Sequence, residues 1–135
     1  MTLETKATLR VFSKTHSLLD LTTIIGKPTG GFSIGGFSIG DSFSRGVKTR
    51  EYTYWSRCST LAGEKEALEA HLSDVLDFSE GQREGLLSLK LKGCNMDITC
   101  MLSSNNGQGS TDLSVSIMKR LAELDLGLVL DVYAD

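Results

Sequence analysis

The chain has 135 residues, enough for one domain that buries a core without disulfides or a structural metal. Its 40% hydrophobic and 23% charged residues exclude the disordered and fibrous classes, and no apolar run approaches the roughly 18 residues of a membrane span. The net charge of −3 is unevenly divided: residues 1–60 carry eight Lys/Arg against four Asp/Glu (+4), and residues 61–135 carry six against thirteen (−7).

Along the chain, Ala7–Ser13 alternates, with Ala7, Leu9 and Val11 on one face and Thr8, Arg10 and Phe12 on the other, which predicts a half-buried strand. Ser17 caps a short helix with Leu18, Leu21 and Ile25 at helical spacing, stopped by Gly26 and by the single proline, Pro28. The glycine-rich segment GGFSIGGFSIGD (Gly30–Asp41) repeats five residues twice. An odd period would put the second Phe and Ile on the opposite face of one continuous strand. A turn at Gly35-Gly36 instead pairs Ile34 with Phe37 and Phe32 with Ile39 on one face, so a hairpin is expected. Arg50–Ser59 (REYTYWSRCS) then reads as a strand, with Tyr52 and Tyr54 on one face and Thr53, Trp55 and Arg57 on the other.

A helix over Glu64–Phe78 places Leu68, Leu72, Val75 and Leu76 on one stripe, and Ser79–Gln82 has the form of a capping box that starts a second short helix or turn. Leu87, Leu89 and Leu91 alternate up to Gly93, and Met96, Ile98, Cys100 and Leu102 alternate after it, which predicts two strands or a strand extension. Ser103–Thr111 is a polar loop, Ser114 caps a helix with Ile117, Leu121 and Leu124 facing inward, and Leu128–Tyr133 is a final strand. The order, roughly β-α-β-β-α-β-α-β, predicts a single α+β domain over residues 1–135. Helices cover one face of a mostly antiparallel sheet, in a ferredoxin-like arrangement with additions.

Several of these segments, IGKPT (Ile25–Thr29), Gly40-Asp41, YWS (Tyr54–Ser56), ALEAHLSDVL (Ala67–Leu76) and LSVSIMKRLAELDLGLVLDVY (Leu113–Tyr133), occur in an order that resembles the bacterial family known as domain of unknown function 4279. The resemblance runs from about Thr8 to Tyr133. It implies a small bacterial α+β domain and carries no enzymatic role over to this chain. Small proteins of this type often resemble immunity proteins, which neutralise a toxin by covering it. The chain departs from the family pattern in having two GGFSI copies where one is expected.

The residues themselves offer little chemistry. The glycine segment satisfies neither GxxxxGK[ST] nor GxGxxG, and Asp41 sets a carboxylate where a phosphate site needs a cation. His16 and His71 stand apart with no Cys/His cluster, so no metal or cofactor is expected, and His71 at helical spacing reads as a boundary or core histidine with a hydrogen-bonded ring. Cys58, Cys94 and Cys100 lack CxxC spacing and read as reduced, packed thiols. With an N-terminus that has no signal-peptide h-region, they predict a cytoplasmic protein. Cys58 or Cys100 with His71 and Asp74 could be drawn as a triad, but nothing activates the nucleophile, and Asp74 and Asp77 read as solvated helix carboxylates. No enzyme is expected.

Arg45, Lys48, Arg50 and Arg57 interleave with Tyr52, Tyr54 and Trp55, the residue types of either a nucleic-acid or a protein interface. Overall acidity favours protein, so neither nucleic acid nor membrane is expected as a partner. The expected function is a non-catalytic protein-binding module, an immunity-type inhibitor of a toxin with a basic surface. Its contact residues would be Phe32, Phe37, Asp41, Arg50, Tyr52, Tyr54 and Trp55, with Glu66, Glu69 and Asp74 of the acidic helix steering the target. The alternatives are a small-molecule or enzymatic cleft near Trp55 and Asp41, or a structural domain of a larger assembly.

Overall fold

In the computed structural model, which describes residues 3–29, 35–61 and 66–134, Ala7, Leu9 and Val11 are wholly buried while Thr8, Arg10 and Phe12 between them are not. This alternation makes β1 (Leu3–Ser13) the central strand of the sheet, one face in the core and the other half-buried. Ser17 closes a full capping box with Asp20 at the start of α1 (Leu18–Ile25). The chain continues through β2 (Gly36–Phe37), β3 (Ser42–Phe43), β4 (Lys48–Thr49) and β5 (Thr53–Cys58). Then come α2 (Leu68–Gly81), α3 (Arg83–Leu91), β6 (Asn95–Ser104), α4 (Val115–Glu123) and β7 (Gly127–Ala134).

Five strands form one sheet in the order β2-β5-β1-β6-β7, and β3 and β4 form a separate two-stranded hairpin. Every pairing is antiparallel except β6 with β7, where α4 makes the crossover. The fold is α+β with a mostly antiparallel sheet. The ferredoxin-like order is not reproduced in detail, because the parallel pair lies at the edge of the sheet.

One apolar core holds the layers together. It contains Leu21 and Ile25 of α1, Leu68, Leu72, Val75 and Leu76 of α2, Leu86 and Leu89 of α3, and Ile117 and Leu121 of α4. These meet Ala7, Leu9, Val11, Trp55, Ile98 and Cys100 from the sheet. Each fully buried Leu, Ile or Val contributes about 1.5–3 kcal/mol relative to exposure. The registers Leu9↔Ile98 and Val11↔Trp55 confirm that all these sheet residues share a face, so the four helices cover one side only.

Residues 86–91, expected as a strand, belong to the helix α3. The six residues fit both periods, but Leu86 and Leu89 are the buried pair, at i and i+3, while Leu87 and Leu91 are exposed. Gly85 makes this packing possible: a Cβ there would stand 3.0 Å from both the Ile24 carbonyl oxygen and Ile25 Cγ2 of α1. The capping box at Ser79–Gln82 is also absent. Ser79 lies buried inside α2 with its hydroxyl donating to the Val75 carbonyl, and α3 begins without a side-chain cap at Gln82. The repeat segment up to Ile34, and with it Phe32 and the predicted hairpin pairs, lies outside the described residues, as does the predicted helix start at Glu64.

α2 and α4 are joined by Arg120, whose guanidinium donates to both Glu80 oxygens (3.0 and 2.7 Å), to Asp77 (2.6 Å) and to Ser73 (3.2 Å). The hydrogen bond from Arg120 holds the Glu80 carboxyl below its ordinary value of 4.5. A lowered folded-state value means that the unfolded chain takes up the proton first as pH falls. The stabilisation is therefore complete above the ordinary glutamate range and is lost as pH drops through the folded value below 4.5. Arg120→Met is expected to flatten the acid limb of a stability-versus-pH curve, measured by urea unfolding between neutral and acid pH. An unchanged slope would remove Glu80 from the account.

Candidate functional site: the uncovered sheet face

The face of the sheet opposite the helices carries a cluster of aromatic and cationic side chains. Phe12 of β1 stands opposite Tyr54 of β5, and Tyr54 opposite Phe37 of β2, so three strands line up three rings. Phe12 and Phe37 each pack against both Tyr52 and Tyr54, with ring centroids 5.3–5.8 Å apart in tilted and edge geometries. The Arg50 guanidinium lies between the Phe37 and Phe43 rings, 3.9 and 4.1 Å from their centroids. Arg10 stands 5.1 Å from the Phe12 centroid while its guanidinium donates two 2.8 Å bonds to Asp97 across the β1–β6 pair. Those bonds raise the Arg10 pKa and leave the cation paired.

The local chain is built to present Phe37. A Cβ on Gly36 would come within 2.6 Å of the Tyr54 carbonyl oxygen, so only glycine lets β2 approach β5 this closely. The following turn is tied down by the Asp41 carboxylate, which accepts from Ser38 N at 2.8 Å, and by two backbone bonds between Gly40-Asp41 and Arg50. The Ser38 hydroxyl in turn accepts from Leu18 N at the start of α1. Past the end of β1, a cleft of about 470 Å³ continues the aromatic surface, bordered by Phe12, Tyr52, Lys14, Lys92 and Asn95.

The sequence profile of a domain of unknown function, DUF4279, matches residues 3–135, nearly the whole chain. The chain belongs to the DUF4279 family. No curated protein and no solved structure matches it.

In this DUF4279 chain the ten residues expected to form one interface are divided. Phe37, Arg50, Tyr52 and Tyr54 are together on the uncovered face, and Asp41 fixes the turn beside them. Trp55 is not a surface residue: it is fully buried on the helix side, stacked on Phe78 with centroids 6.1 Å apart, and its Nε1 donates to the Gly26 carbonyl at 2.9 Å. Trp55 and Asp41 share no surface, because Trp55 lies in the core and Asp41 in an exposed turn. Glu66 and Glu69 lie on the helical layer, across the sheet from the aromatics. Asp74 is there too, and it is engaged rather than solvated: its carboxylate accepts from the Thr60 backbone N (2.8 Å) and hydroxyl, closing the loop after β5. Asp77 is solvated as expected, its side chain 73% exposed, and also accepts a hydrogen bond from Arg120.

Sequence reasoning missed Phe12, Arg10, Asp97 and Phe43. Phe12 and Arg10 were readable, since both fall on the polar face of the β1 alternation, where a phenylalanine has no core to enter. Cys100 is buried and its thiol is pushed up to about 12, so it stays protonated at neutral pH. His71 is wholly buried, with Nδ1 2.7 Å from the Ser59 hydroxyl. Among the described residues no group of His, Cys, Asp and Glu is placed to hold a metal, and no helix is long and apolar enough to cross a membrane.

Proposed function

We propose that the chain is a non-catalytic protein-binding module of the bacterial cytoplasm that captures its partner on the uncovered sheet face, and that the partner is a toxin which this contact neutralises. The observation that carries the reading is the cluster of Phe12, Phe37, Tyr52 and Tyr54 with Arg10 and Arg50 laid on their rings. Tyrosine and arginine on a rigid platform are the residue types that dominate binding energy at protein interfaces, and a pre-packed cluster loses little entropy on docking.

Protein is favoured over single-stranded nucleic acid because the rings already occupy one another. Phe37 is capped by Arg50, and Phe12 and Tyr54 are tilted together, so free faces for base stacking are few. The acidic helix α2, on the other layer, serves long-range steering rather than contact.

The test is capture from the source cell by the tagged chain, followed by titration of the captured polypeptide. Replacing Phe37 and Tyr54 together by alanine is expected to weaken that complex at least 30-fold, about 2 kcal/mol. Growth protection on co-expression with the partner is expected to be lost in parallel. Undiminished affinity in the double variant, or binding of single-stranded RNA in place of protein, would overturn the reading.

A further inference from the structure

The largest run of exposed apolar side chains among the described residues is on β7, where Val129 is 39% exposed, Leu130 56%, Val132 63% and Tyr133 55%. Among the described residues β7 is an edge strand, bonded only to β6, so one side of its backbone is open. Protein edges are normally protected by lysine, proline, a bulge or shortness. β7 has eight residues and a single charge, Asp131, whereas the opposite edge, β2, has two residues.

We propose that this edge joins two copies of the chain, with β7 pairing antiparallel to its symmetry mate about a twofold axis perpendicular to the sheet. Such an axis keeps each face on its own side and must pass through a residue opposite itself. Two centres pair seven of the eight strand residues: Leu130, which pairs residues 127–133, and Asp131, which pairs 128–134. Centring on Asp131 sets two carboxylates directly opposite each other, which destabilises a sheet pair. Centring on Leu130 sets Leu130 against Leu130 and Leu128 against Val132 on the helix side. On the bare side it sets Asp131 against Val129 and Tyr133 against Gly127. The charge pattern therefore selects one register, and that register brings all four exposed apolar residues beside the mate's strand.

Those four side chains expose on the order of 400 Å² per copy, about half of what each partner contributes to a standard stable interface. The strand backbone and Met118 add to this. Met118 is half exposed on α4, on the side turned away from Arg120 and hence from α2. The product is a continuous ten-stranded sheet, five strands from each copy, with both aromatic clusters on the same side. This inference is independent of the toxin reading.

Sedimentation of the full chain at micromolar concentration is expected to give a dimer, and Leu130→Lys with Val132→Lys a monomer whose circular dichroism is unchanged. Leu130→Cys is expected to form an intermolecular disulfide on mild oxidation and Val129→Cys is not, since only residue 130 meets itself. The native thiols of Cys58, Cys94 and Cys100 are buried and leave the readout clean. A monomeric wild type, a dimer that survives the double lysine change, or equal cross-linking at 129 and 130 would each overturn the proposal.

Discussion

Replacing Trp55 by alanine is expected to destabilise the fold by about 3–5 kcal/mol, the upper range for a single buried side chain. Trp55 is wholly buried between the sheet and α2, where its ring stacks on Phe78 and its Nε1–H satisfies the carbonyl of Gly26 at the end of α1. Truncation opens a cavity and leaves that carbonyl without its donor, and the two costs add. Against a total stability of about 5–15 kcal/mol for a small domain, about a fifth or more of the margin disappears. Trp55→Phe keeps most of the packing and loses the hydrogen bond, so about 1–3 kcal/mol is expected there. Urea midpoints at constant slope measure both; a loss under about 1 kcal/mol for the alanine variant would show that the core closes without the ring.

Gly36→Val is the second large effect, and it reaches the candidate site. The added atoms meet the Tyr54 carbonyl oxygen and Leu18 Cδ1, at 2.6 and 2.8 Å from the Cβ position, and a backbone oxygen cannot swing aside. Overpacking of this kind costs about 1–3 kcal/mol, and relief requires β2 to leave β5. Phe37 then leaves the aromatic cluster, and Arg50 loses one of the two rings that hold it. Partner affinity is expected to fall as far as in Phe37→Ala, and because Gly36 pairs with the core residue Trp55 a loss of stability accompanies it. Wild-type affinity in a folded Gly36→Val protein would separate β2 docking from function.

Local signals explain what was legible in the sequence. The alternation of β1 and β6, the Ser17 and Ser114 caps and the apolar stripes of α2 and α4 each lie within one element, and each is found in place. The α3 segment was misread because Leu86–Leu91 fits two periods, and only the approach of α1 at Gly85 decides between them. β3 and β4 are two residues long, too short to carry a period, and their turn at Ser44, Arg45 and Gly46 runs through positive φ. The candidate site was half legible. Residue types nominated Phe37, Arg50, Tyr52 and Tyr54, but strand parity had to be joined to the order β2-β5-β1 before Phe12 could be added and Trp55 removed. The acids of α2 looked free because their partners, Thr60 and Arg120, are 14 to 43 residues away in sequence.

The central claim is that the sheet face opposite the helices, and not the acidic helical layer, meets the partner. A photo-crosslinking amino acid placed in turn at Phe37 and at Glu69, in the cell that makes the protein, tests it directly. A single heterologous adduct from position 37, absent from position 69, is the predicted result. An adduct from position 69 with none from position 37 would contradict the account.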